Sequence, residues 1–148
     1  MIRKVQHLVR RFVEMGRPVT SEAVDTAYAA EKLSTGELRL WRMMDARDRR
    51  HSVEVTRRFL AVFPSATRDE IAAALLHDVG KSAVALGRFG RSVATILPLT
   101  RSMIIYRDHE RIGGRMLAEV GASSRIIELV SGEGRDDAAE ALRNADDA

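Results

Sequence analysis

One short stretch limits what this chain can become: Leu75-Leu76-His77-Asp78-Val79-Gly80-Lys81. The alanine-rich apolar run from Ile71 to Leu76 reads as a buried helix. It ends in two adjacent side chains that can both ligate a metal. Burying a His-Asp pair at the end of an apolar helix is costly without a partner. A divalent metal is the most economical one, because neutral imidazole and carboxylate both donate to it. Gly80 is expected to end the helix at its C-terminus. Lys81 then places a mobile positive charge just past the pair.

The other ligands must come from His, Asp or Glu, since the chain has no cysteine. That also excludes disulfides, thiolate metal sites and a cysteine nucleophile. A length of 148 residues suits one domain with a real core. The start of the chain is basic but has no apolar run of signal-peptide length. The apolar stretch from Ser92 to Thr100 contains Pro98 and falls far short of a membrane span. A cytoplasmic protein is expected. The formal net charge is +3 and the pI about 9.8. Yet only Lys4, Lys32 and Lys81 are lysines, and the arginines are dispersed among 21 acids. This pattern argues for a GC-rich genome rather than a nucleic-acid surface, and it makes the lysine at 81 more notable.

Apolar spacing predicts helices almost throughout. Val5, Leu8, Val9, Phe12 and Val13 give one over residues 1–15, broken by Gly16-Arg17-Pro18. A second runs from Ser21 to Lys32. Ser34 to Glu37 forms a capping box for a third, which carries Trp41 as a core anchor. Residues Asp45 to Phe63 form a fourth. Thr67 to Glu70 is another capping box, opening a helix expected to reach Asp78. Ser82 to Arg107 lacks acids and carries four arginines; it reads as one or two short helices beside the His-Asp pair. Further helices are expected from Asp108 to Gly121, through Ile126 to Val130, and after Asp136 and Asp137. No segment alternates with period two. The fold class is therefore all-α, one domain over 1–148, with residues 1–44 as an N-terminal extension on a 45–147 core. Apolar residues on the N-terminal helices would suit a homodimer contact, but no heptad run supports a coiled coil.

His51, His77, Asp78, His109 and the pair Asp146/Asp147 are the candidate donors. They lie on separate helices, and spacing alone does not bring them together. Their order does carry a resemblance. Arg50-His51-Ser52-Val53-Glu54-Val55, then Leu75 to Lys81, then His109-Glu110-Arg111-Ile112-Gly113-Gly114-Arg115-Met116-Leu117, then Ala145-Asp146, resemble the HD-domain superfamily of metal-dependent phosphohydrolases. Leu40-Trp41-Arg42 through His51 also looks like a less studied bacterial branch of it. The resemblance covers about residues 45–147. It implies an HD-domain helical bundle with one divalent metal (Mn, Fe, Co, Ni or Zn) on His51, His77, Asp78 and Asp146, with Asp147 the rival to Asp146. A metal-activated water would attack a nucleotide or other small phosphoester. Asp78 and Lys81 are the catalytic candidates. Lys81, Arg50, Arg88, Arg91 and His109 are the candidates for binding substrate.

One departure bears on mechanism. Many members with this His-plus-glycine helix carry a further histidine pair at the end of the next helix. Here that place reads Val130-Ser131-Gly132-Glu133-Gly134. This argues against a second metal, and leaves Glu133 as a partial substitute. The same loss suits an alternative: a non-catalytic module binding a nucleotide or protein partner in a regulatory role. A helical domain with a purely structural metal is the third reading.

Overall fold

Side-chain caps punctuate the chain, and they place the helices that build the site. The computed structural model describes residues 18–85 and 101–148. Helix α1 spans Pro18–Lys32, α2 Thr35–Met43, α3 Ala46–Val62 and α4 Arg68–Leu76. After a two-residue turn come α5 Val79–Ala85, α6 Arg101–Glu119, α7 Ser124–Val130 and α8 Asp137–Asp147. No strand is present among the described residues, so the fold is all-α. Nor is any helix among them long and apolar enough to cross a membrane. The helix expected over residues 1–15 lies outside the described residues.

Both expected capping boxes form. Ser34 and Glu37 open α2, and Thr67 and Glu70 open α4, each pair exchanging side-chain and backbone hydrogen bonds. Asp45, Ser123 and Asp136 cap α3, α7 and α8. Gly121 ends the helix before α7 with φ +73°, where a side chain is disfavoured.

Helix α4 is the hub. It packs against α3, α7, α2 and α1, and Ala72, Ala73, Ala74, Leu75 and Leu76 are all sealed from solvent. A helix apolar on every side must be surrounded. Its small alanines let neighbours come close, while Trp41, Phe59, Leu117 and Ile126 fill the space between.

Three sequence expectations need correction. Helix α1 begins at Pro18, not Ser21; proline suits a first turn, where its missing N–H is no loss. Helix α6 begins at Arg101, seven residues before Asp108. Most tellingly, α4 stops at Leu76, and Gly80 does not terminate it. His77 and Asp78 occupy a turn, and Gly80 lies inside α5 without a positive φ. Its lack of a side chain serves packing. A Cβ there would run into the carbonyl oxygen of His109 on α6, and the Gly80 amide sits close to Gly113 as well. The two backbones meet almost in contact, so α5 and α6 are clamped together directly below His109.

Candidate metal centre

The turn after α4 delivers His77 and Asp78, and α3 delivers His51. Helix α3 is fixed in rotation by a buried chain of bonds. Trp41 Nε1 donates to Ser52 Oγ at 3.0 Å, and Ser52 Oγ donates to the Arg49 carbonyl at 2.7 Å. Trp41 is only 1% exposed, so the residue next to His51 is locked. Helix α8 packs on α3. Arg58 Nη1 donates to the Ala145 carbonyl at 3.3 Å and holds the end of α8 in place.

These elements converge. One ligand atom from each of His51, His77 and Asp78 lies within 4.8 Å of the others. Asp146 Oδ1 stands 3.0 Å from His51 Nε2 and 3.2 Å from His77 Nε2. Asp147, one residue on, is exposed and makes no such approach. His109 Nε2 lies 3.8 Å from Asp78 Oδ1, and Lys81 Nζ donates to Asp78 Oδ2 at 2.7 Å.

His77 carries the clearest sign of the site's chemistry. Its Nδ1 is 2.8 Å from the Ala74 carbonyl, which can only accept, so Nδ1 carries a proton. In the neutral ring Nε2 is then a bare lone pair. That atom is buried and makes no hydrogen bond, although Asp146 Oδ1 and Asp78 Oδ2 (3.5 Å) are near. A lone pair facing two carboxylate oxygens is repulsive, so either a proton on Nε2 or a metal ion among the donors relieves it. Leaving such an atom unsatisfied costs about 1–3 kcal/mol. Two imidazoles and two carboxylates suit Mn, Fe, Co, Ni or Zn, and the Ala74 contact is the usual outer support of a ligating histidine. The donor set therefore fits a divalent metal.

Without an ion, the charges favour a proton on His77. Burial pulls the His77 imidazole down, but Asp146, Asp78 and the Ala74 carbonyl outweigh it and leave it raised. Contact with His77, helped by His51, holds Asp146 well below the carboxylate range against the effect of burial. Burial also lowers Lys81, yet the bond to Asp78 and the charges of Asp48 and Asp146 raise it overall. Lys81 is thus a firm cation beside the centre.

Two cavities border the donors and share no lining residue. An open cleft of about 730 Å³ is lined by polar groups, among them Arg47, Asp48, Arg50, His51, Asp78 and Lys81. A smaller cavity of about 260 Å³ has His77, His109 and Asp146 at the donor end and Leu129, Val130 and Leu142 among its walls.

The structure thus gathers His51, His77, Asp78, Asp146, His109, Lys81 and Arg50 around one place. Arg88 and Arg91 lie outside the described residues. Glu133 is exposed and lines neither cavity. Sequence reading passed over Arg47, Asp48, Glu54, Arg135 and Arg143, all of which line a cavity. Asp48 and Glu54 stand three residues before and after His51, and Arg143 three before Asp146. Helical spacing therefore puts each on the face of its donor. Arg135 sits in a loop and offers no such signal. Burial, then its neighbour Asp45, raises the Asp48 carboxyl despite Lys81 and His51 nearby.

No protein family, curated protein or solved structure matches this chain.

Proposed function

We propose that the protein is a metal-dependent phosphohydrolase of the HD-domain kind, acting on a nucleotide or other small phosphoester. One observation carries the reading: the buried Nε2 of His77 makes no hydrogen bond and stands among His51, Asp78 and Asp146. A bound divalent ion would polarise a phosphoryl oxygen and acidify a water. The protein's own residues do the rest. His51, His77, Asp78 and Asp146 hold the ion. The Ala74 carbonyl fixes the His77 tautomer. Lys81, Arg50 and Arg47 face the cleft and neutralise the phosphate. His109, braced by the α5–α6 crossing, borders the cavity where a leaving group would rest.

A second reading has its own support. Lys81 already neutralises Asp78, and His51 already bonds Asp146. A centre neutralised from within also suits a non-catalytic module that binds a nucleotide or protein partner. Val24 and Met43, exposed on α1 and α2, are apolar residues open to a second copy of the chain.

Purified protein loaded with each of the five metals, then screened against p-nitrophenyl phosphate and nucleotides, separates the readings. Turnover that disappears in Asp78→Ala supports the hydrolase. Nucleotide binding without turnover supports the module. If wild type takes up no metal stoichiometrically, the hydrolase reading falls.

A further inference from the structure

The proposed hydrolase has two cavities of different chemistry at its centre, and the smaller one is half apolar with two arginines on it. Arg135 Nη1 donates to the carbonyls of Gly132 and Gly134, each at 2.9 Å. Arg143 Nη1 donates to the same Gly134 carbonyl at 3.1 Å. One short loop segment thereby gathers two guanidinium groups onto one cavity. Neither is ion-paired with a carboxylate among the described residues. Arg125, by contrast, faces three acids and Arg68 two. Anchoring through backbone carbonyls orients a guanidinium without cancelling its charge. Glu110 also borders the cavity and packs over Gly132, whose φ of +72° keeps the loop turned tightly beneath it. Glu110 and Asp146 are the acids on this cavity; Asp146 is engaged by His51 and His77, which leaves Glu110 as the acid facing the two arginines, and Leu129, Val130 and Leu142 are apolar parts of the wall.

Resting on the hydrolase reading, we propose that the substrate is doubly anionic. One phosphate sits in the cleft of Arg50 and Lys81. A compact middle, the size of a single sugar ring, crosses the donor centre. A second anionic group, phosphate or carboxylate, is clasped by Arg135 and Arg143. A small cavity with a few convergent polar groups on apolar walls is the usual form of a specificity pocket. Paired guanidinium groups are the usual means of fixing such an anion.

The test compares fructose 1,6-bisphosphate with fructose 6-phosphate on the Mn-loaded protein, by calorimetry and by phosphate release. The bisphosphate is expected to bind at least about tenfold more tightly. Arg135→Gln and Arg143→Gln should each shrink that ratio toward one without weakening fructose 6-phosphate. Arg115→Gln, an exposed arginine bordering neither cavity, should leave it unchanged. Arg143 is exposed on α8, so its variant is the one to rely on if Arg135→Gln disturbs the loop. Equal binding of the two sugars, binding of neither, or a preference that survives both substitutions overturns the second-anion site. Selective binding without phosphate release from either sugar, from p-nitrophenyl phosphate or from nucleotides keeps the site and sinks the hydrolase. Release without selectivity does the reverse.

Discussion

The two ends of α4 are built on opposite rules. At its N-terminal end every charge is answered. Arg125 reaches Glu70 at 2.8 Å, Asp136 at 2.6 Å and Glu128 at 3.1 Å. Arg68 grips Glu37, and Ser123 Oγ donates to Asp69 at 2.7 Å. At the C-terminal end, one residue past the helix, the Nε2 of His77 is buried between Asp146 and Asp78 with no hydrogen bond. The same nine-residue helix is tied down at one end and left chemically incomplete at the other. Among the described residues, that Nε2 is the one buried side-chain atom left without a hydrogen bond, and such an exception calls for an explanation.

The strongest way to break that contrast is to remove a donor. Asp78→Ala should lower any phosphohydrolase activity by at least about a thousandfold, some 4 kcal/mol, with metal content falling in parallel. Melting temperature without metal should change far less; a large drop there would mean that Asp78 is structural. The next effect is on the scaffold. Gly80→Ala must push α5 from α6, and should cost about 3 kcal/mol in urea unfolding, at the upper end for overpacking. Gly121→Ala, which meets open space but keeps a positive φ, should cost about 1 kcal/mol.

Arg125→Met sharpens the comparison from the other end. It leaves Glu70 without its guanidinium and should destabilise by about 2 kcal/mol, a buried-pair loss discounted for partial exposure. Metal binding should not change. The smallest effect is in acid. Burial raises the Glu70 carboxyl, but Arg125 and Thr67 outweigh it and hold it below its ordinary value. A carboxyl depressed in the folded state adds stability that is complete above the unfolded pKa and is lost as pH falls through the folded one. Wild type should therefore lose more stability than Arg125→Met as pH falls through and below the ordinary glutamate range. Parallel urea midpoints for the two proteins across that range would refute it.

Much of this was legible in the chain, for local reasons. Ser34–Glu37 and Thr67–Glu70 are capping boxes whose chemistry is contained in four residues each, so both could be read without tertiary knowledge. Trp41 as a core anchor follows from size and apolarity. The all-α class follows from the spacing of apolar residues. Gly80 was misread because a glycine after an apolar helix is locally a terminator. What decides its role is a carbonyl on α6 about 30 residues away, which no local pattern reveals. The start of α6 was missed because Asp108 looks like a helix opening, although the helix already runs through it. Asp146 was preferred to Asp147 by resemblance, and the structure turns Asp146 toward both histidines. Arg135 could not have been found, because its place depends on how a glycine loop folds under Glu110.

The near-contact of two main chains at Gly80 has a consequence over evolutionary time. Where side chains meet, a large residue can be traded for a small one if its neighbour compensates. Where backbone meets backbone, there is nothing to trade. A descendant of this sequence could replace its surface, its caps and even its cleft arginines. It could not accept any other amino acid at position 80 without first parting the two helices, so that single absent methyl group is where lineages of this fold should be least free to drift.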